Sequence, residues 1–266
     1  MTAQAKDAAK PAPAVTVRGL NNRFGTQQIH EGLDFDLLTG EVLGVVGSSG
    51  SGKSVLMRSI IGLNRSHAGE VRLLGQDLSV LRGRARKALL ARIGVLFQSG
   101  ALFSGLTVAE NIAIVLKTHS ALPPAGIDRL ARQKIDMAGL PQDSAAKLPA
   151  QLSGGMRTRA GLARALALDP EIVFLDEPTA GLDPIGAADF DRLIRELQQS
   201  LGLTVFMVTH DLNSLVAIAD RIAVLVDRKI RVGPLDVLLN DPHPWIQAYF
   251  HGPRARAAHN AAGSGH

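Results

Sequence analysis

Eight consecutive residues carry the plainest chemistry in the chain. Gly47, Ser48, Ser49, Gly50, Ser51, Gly52, Lys53 and Ser54 follow the pattern G-x-x-x-x-G-K-[ST]. Glycines leave backbone N–H groups bare, so the loop can wrap phosphate oxygens. At this spacing Lys53 reaches the β- and γ-phosphates, and the Ser54 hydroxyl is a ligand for Mg²⁺. The alternative is a plain Gly/Ser loop. The flanks favour phosphate binding: an apolar run, EVLGVVG (41–47), precedes the loop, and helix-forming residues follow it.

Nucleotide chemistry also needs carboxylates. Ile172-Val-Phe-Leu-Asp176-Glu177 is an apolar strand pattern that delivers two at its C-terminal end, where α/β proteins bind ligands. Asp176 suits Mg²⁺, directly or through water. Glu177, one residue on and across the pleat, suits polarisation of an attacking water. Gln98 follows another strand pattern and could touch Mg²⁺ or that water; it could equally be a polar boundary residue. His210, after LTVFMVT, stands at a further strand end and could bond a γ-phosphate or serve structure alone. Phe24 sits in the polar stretch NNRFGTQ, where it could stack on a base or pack under an edge sheet. A second anion grip appears at LSGGMRTR (152–159). Ser153, Gly154 and Gly155 open a helix there, offering a hydroxyl, bare N–H groups and the positive end of the helix dipole.

These residues need a scaffold that presents several strand ends together. AVTVRGL (14–20) and LDFDLL (33–38) alternate like strands of an edge sheet. Strands are also expected at 41–47, 71–75, 94–97, 172–176, 203–208 and 221–226. Helices are expected from Gly52 to Gly62 and over 82–93, 127–138, 186–200 and 211–219. Strand–helix alternation implies a parallel sheet. It is interrupted over 99–165, which reads as mainly helical, with a capping box at Thr107 and Glu110. HPWIQAYF (243–250) puts Trp245, Ile246, Tyr249 and Phe250 on one helical face, for docking on its own domain or on a second chain.

Composition narrows the classes. The chain has 266 residues, 46% of them hydrophobic and only 4% aromatic, so an aliphatic core is expected. The absence of cysteine excludes disulfides, thiolate metal sites and cysteine catalysis. No uninterrupted apolar run approaches the ~18 residues of a membrane span. MTAQAKDAAKPAPA lacks the apolar segment of a signal peptide and reads as a flexible leader. The net charge of +5 permits an anionic partner. The Arg/Lys cluster at 82–92 reads as a solvated helix face, and aromatics for base stacking are sparse, so no direct nucleic-acid partner is expected.

Taken together and in order, these motifs resemble an ATP-binding-cassette (ABC) ATPase over residues 14–250. The P-loop lies at 47–54, the Q-loop at Gln98, the signature at 152–156, the second carboxylate motif at 172–177, the D-loop at 180–183 and the H-loop at His210. The resemblance implies a P-loop NTPase (RecA-like) α/β core with an antiparallel β edge over 14–98 and 166–250, a helical insert over 99–165, a leader at 1–13 and a tail at 251–266. It places Phe24 at the adenine, and Val55 and Asp183 among the nucleotide-binding residues. It implies ATP and Mg²⁺, with Ser54, Gln98 and Asp176 on the metal and Glu177, His210 and Gln98 in catalysis. It also implies a head-to-tail homodimer, in which Ser153 and Gly155 bind the γ-phosphate held by the partner copy's P-loop. Met156 stands where the family's signature has Gln, which puts in question the polar contact that a Gln side chain would make; Ser153 and both glycines remain.

FQSGALF (97–103), LTVAENIA and LSGGM look like the ATPases of Mla/Mce lipid-transport systems. That resemblance implies a peripheral subunit on the cytoplasmic face of a bacterial inner membrane. Its partners would be a permease dimer, an MCE-type lipid-binding protein and, in some systems, a STAS-domain subunit. The rival reading is a cassette for polar cargo such as amino acids, whose catalytic residues would be the same.

Overall fold

The computed structural model describes residues 12–252; the expected leader falls almost wholly, and the tail from 253 wholly, outside the described residues. The described residues open with a hairpin, β1 (Pro13–Phe24) and β2 (Gln27–Leu38), followed by a buried strand, β3 (Val42–Gly47), and α1 (Lys53–Ile60). Two short strands, β4 (Ala68–Leu73) and β5 (Gln76–Asp77), lead to α2 (Gly83–Leu90) and β6 (Ile93–Leu96). The next stretch is helical: α3 (Val108–His119), α4 (Pro124–Met137) and α5 (Gly154–Ala165). Alternation then resumes with β7 (Ile172–Asp176), α6 (Pro184–Leu201), β8 (Thr204–Val208), α7 (Leu212–Ile218) and β9 (Arg221–Val226). An antiparallel edge strand, β10 (Lys229–Gly233), and two short helices, α8 (Leu235–Leu239) and α9 (Pro244–His251), complete it.

Two sheets result. The first is antiparallel, in the order β2-β1-β4-β5; the second runs β10-β9-β3-β8-β7-β6, with β9 through β6 parallel. Period-two alternation decides what each strand faces. On β7, Ile172 and Phe174 point into the core between the two sheets, whereas Val173 and Leu175 join the core under α3–α6. On β8, Phe206 and Val208 take the first side, Val205 and Met207 the second. The inter-sheet seam departs from the aliphatic expectation. Phe206 lies 5.5 Å from Phe174 and 6.5 Å from Phe35 of β2, centroid to centroid. Few aromatics are needed when three of them meet at one seam.

The capping box is formed. Thr107 Oγ1 accepts from the Glu110 amide, and Glu110 accepts from Thr107 N at 2.8 Å. Lys134 of α4 is 2% exposed and pairs with Asp169 in the turn before β7, tying the helical stretch to the large sheet. The ambiguous C-terminal face docks on its own chain: Ile246 and Phe250 are buried in a cluster with β9, α7 and α8.

Candidate active site

Parallel pairing aligns the C-terminal ends of β3, β8, β7 and β6, which neighbour one another in that order. Gly47, the pair Asp176–Glu177, His210 and Gln98 therefore leave the sheet at one edge.

The P-loop is built around its glycines. Gly52 has φ 93°, and a Cβ there would come within 2.5 Å of Ile29 Cγ2 and His30 Nε2. A Cβ at Gly47 would meet Leu225 O at 2.5 Å and Ser51 Oγ at 2.6 Å. Lys53, the first residue of α1, curls back and donates to Gly47 O (2.9 Å) and Ser48 O (3.1 Å). Burial lowers its ammonium pKa, and the charges of Glu177 and Asp176 oppose that shift. Ser54 Oγ donates to Asp176 Oδ1 at 3.0 Å. The pairing joins a hydroxyl to a buried carboxylate, two hard oxygen donors of the kind Mg²⁺ accepts, and the loop's bare backbone supplies a cradle for phosphate. The residues thus fit both ATP and Mg²⁺.

Glu177 does not merely continue the pleat, as the strand pattern suggests. The strand stops at Asp176, and Glu177 takes a left-handed conformation, φ 50°, with its amide donating to Val208 O at 2.8 Å. A non-glycine residue there costs about 1–3 kcal/mol. The kink turns its carboxylate to His210, with Oε2 2.5 Å from Nδ1. His210 is itself braced: the Tyr249 hydroxyl of α9 donates to its carbonyl at 3.2 Å, and Trp245 stacks on Tyr249 at 4.8 Å. Sequence reasoning saw Tyr249 only as part of an apolar face.

Gln98 is exposed and opens a tight turn, Gln98–Ala101, with Ser99 and Ala101 at positive φ. Arg164 of α5 holds this turn, donating to Gly100 O (3.0 Å) and Ala101 O (2.8 Å). The turn after Gln98 is thereby tied to α5. Phe24 is not in a polar loop. It ends β1 at a tight turn, Gly25–Thr26, and is 56% exposed rather than packed under the sheet.

The second grip stands apart. Ser153 caps α5, accepting from Met156 N at 3.2 Å, and the Met156 side chain packs on the core of the helical stretch. Ser153, Gly154 and Gly155 line a cleft with Gly181, Leu182 and Asp183. Asp183 caps α6 through Ile185 N (3.1 Å) and Gly186 N (2.9 Å). Ser48–Ser51 line a different cleft, with Gln27–Ile29, Asp227 and Arg228. Neither signature glycine has positive φ. A Cβ at Gly154 would find nothing nearer than 4.0 Å, and one at Gly155 would make an ordinary 3.6 Å contact with Leu182.

The family described as "ABC transporter" matches residues 30–180. The probable ribonucleotide transport ATP-binding protein mkl of Mycobacterium leprae is 37% identical over 242 residues, 91% of this chain and 70% of the relative. The chain belongs to the ABC transporter family. The intermembrane phospholipid transport system ATP-binding protein MlaF of Haemophilus influenzae is 37% identical over 216 residues, 81% of each chain. The methionine import ATP-binding protein MetN of Mesorhizobium japonicum is 39% identical over 226 residues, 84% of this chain and 61% of the relative. A dimeric, post-hydrolysis structure of the ATP-binding cassette MJ0796 bound to ADP and Pi superposes with TM-score 0.76 at 30% identity, covering 83% of this chain and 98% of that one. This ABC ATPase binds ATP and is the nucleotide-binding subunit of a transporter.

Proposed function

We propose that two copies of this cassette close head to tail around two ATP molecules, and that closure and reopening drive a permease dimer moving phospholipid or another hydrophobic cargo. The carrying observation is that, among the described residues, nothing crowds a side chain at Gly154 or Gly155 and neither has positive φ. Glycine near a helix start costs backbone entropy relative to alanine. A bare surface kept at that cost, beside Ser153 and away from the chain's own P-loop cleft, suits a phosphate held by a partner copy.

The roles follow. Gly47 through Ser54, with Val55 behind them, cradle the triphosphate, with Lys53 on the β- and γ-phosphates and Phe24 on the adenine. Ser54 and Asp176, joined by Gln98, would hold Mg²⁺, which would neutralise phosphate charge when bound. Glu177, oriented by His210, takes a proton from the water that attacks the γ-phosphorus as the bond to the β-phosphate oxygen breaks. Ser153, Gly154 and Gly155 of one copy, with Asp183 nearby, complete the other copy's site. Loss of the bridging phosphate reopens the dimer, because the closed state alone makes both sets of contacts.

Cargo is read from FQSGALF, LSGGM and the likeness to MlaF. An MCE-type lipid-binding protein and a STAS-domain subunit are the corresponding partners. Among the described residues no helix is long and apolar enough to cross a membrane, which suits peripheral attachment through the permease at the cytoplasmic face of the inner membrane. The likeness to mkl and MetN favours a second reading, a polar solute. The basic cluster beside α2 is partly engaged: Arg82, Arg86 and Lys87 donate to backbone carbonyls, which argues against a nucleic-acid groove there. Purifying the cassette with its permease and identifying co-purified molecules by mass spectrometry tests the cargo. Bound phospholipid is expected; a polar solute without lipid contradicts the proposal.

A further inference from the structure

His30 of β2 lies beneath the P-loop and is fully buried. Its Nδ1 is 3.0 Å from Asn22 Nδ2, and Asn22 Oδ1 accepts a 3.2 Å bond from Ser59 Oγ of α1. Asn22 and Ser59 are themselves buried. Because the Asn22 amide nitrogen is the donor, Nδ1 is the acceptor, and the proton of the neutral ring sits on Nε2. Among the described residues Nε2 makes no hydrogen bond of good geometry, although the Ser51 and Gly52 backbone already lies close enough to pull on its charge. It nonetheless abuts the loop, 2.5 Å from where a Cβ on Gly52 would lie. The hydroxyl of Ser51, one residue earlier in the same loop, is also buried with no partner among the described residues. Burial lowers the imidazole to about 4, against the pull of the Ser51 and Gly52 backbone, so the ring is neutral near pH 7.

An unpaired buried donor is costly, and native structures rarely keep one without a reason. Here the Ser59–Asn22–His30 relay runs from α1, the helix that starts at Lys53, to the underside of the loop that would grip phosphate. We infer that His30 is a positioning residue for nucleotide binding: its Nε2–H donates to the P-loop backbone at Ser51–Gly52 when the loop tightens on phosphate. This rests on the nucleotide reading of that loop. Because the contact with Ser51–Gly52 is strengthened on binding and stands away from the reacting atoms, it acts on affinity and not on the chemical step.

Two substitutions separate the ends of the ring. His30→Asn places an amide near Nδ1, able to meet Asn22 but too short for the loop. His30→Gln brings an amide nitrogen to about the reach of Nε2. Calorimetric titration of the full chain with MgADP gives affinity without turnover, and steady-state ATPase assays give KM and kcat. With one bond lost to a buried group, His30→Asn is expected to weaken MgADP and raise KM about tenfold while kcat stays within about twofold. His30→Gln should recover affinity to within about threefold of the natural chain. All assays run below the lowest melting midpoint, so that loss of fold is not mistaken for loss of affinity. The proposal is overturned if His30→Asn binds like the natural chain, if His30→Gln is as weak as His30→Asn, or if kcat falls while KM holds. Lys53→Ala, titrated in parallel, isolates the underlying reading: if it binds MgADP undiminished, the loop is not the phosphate site and the proposal falls with it.

Discussion

Two segments of this chain share a design: glycines, a serine and a helix start. They differ in who needs the glycines. At the P-loop the chain itself does, since a side chain at Gly47 or Gly52 would run into Leu225, Ile29 or His30. At the signature the chain does not, since side chains at Gly154 and Gly155 would fit. The lesson is about reading glycine. One enforced by its own neighbours reports on local packing. One that nothing local enforces leaves room for a body that arrives from outside. The P-loop edge is also crowded with chemistry, Lys53, Ser54, Asp176, Glu177 and His210 converging through bonds of 2.5–3.1 Å, whereas the signature offers a hydroxyl and bare backbone.

That contrast can be broken from either side. The largest effect is expected for Glu177→Gln. Removal of the proton acceptor should lower turnover at least about a hundredfold. ATP binding should persist; phosphate release reads the turnover and calorimetry the binding, and undiminished turnover would refute the assignment. Lys53→Ala should weaken MgATP at least about tenfold, because a charge-assisted contact to phosphate is lost. Ser153→Ala should leave MgADP affinity of the isolated monomer unchanged while reducing turnover several-fold. It also removes a helix cap worth about 1 kcal/mol, so melting should be followed alongside. Loss of monomer affinity would erase the distinction between the two edges.

The smallest effect lies behind the edges and has a defined sign. His30, under the P-loop, is lowered by burial from 6.5 to about 4. The unfolded chain therefore binds more protons across that window, and this group makes stability rise as pH rises from about 4 to 6.5. Asp191 of α6, buried and near Asp211, is raised by burial, with Asp211 adding, from 3.8 to about 6. Here the folded chain binds more protons, so stability falls as pH rises through nearly the same range. The two offset each other in the natural chain. Asp191→Asn should steepen the rise of Tm between pH 4 and 6.5; an unchanged or reversed slope contradicts this.

Much of this was legible in the residues. Apolar runs ending in Gly47, Asp176 and Val208 mark buried parallel strands, and the structure keeps them there. Thr107 and Glu110 announced a cap that formed. The failures have physical causes. Phe24 looked stranded in a polar loop because Asn21, Asn22 and Arg23 are poor strand formers, yet cross-strand pairing with Gln27 and Gln28 carries β1 to that point. Glu177 looked like one more pleat because a left-handed kink at a glutamate leaves no sign in composition. β10 was missed because KIRVG is short and carries two charges, as suits an edge. His30 was missed because register slips near Gly32, φ 59°, between the pairs Leu20–Leu33 and Asn22–His30. Alternation counted back from Leu37, Phe35 and Leu33 puts it on the wrong face. A bulge is a matter of pairing, and a single strand read alone does not reveal its partner.

The central claim is that each catalytic centre is shared between two chains, and mixing two disabled variants tests it most directly. Lys53→Ala has a broken P-loop and an intact signature; Ser153→Arg has the reverse. Each alone should be nearly inactive. If the centres are composite, a mixed dimer holds one site with both halves sound, and the mixture should show ATPase activity well above either variant by itself. If the two variants exchange subunits, as a mass measurement of the mixed dimer verifies, and activity stays at the level of the inactive parents, then P-loop and signature work within one chain and the account is contradicted.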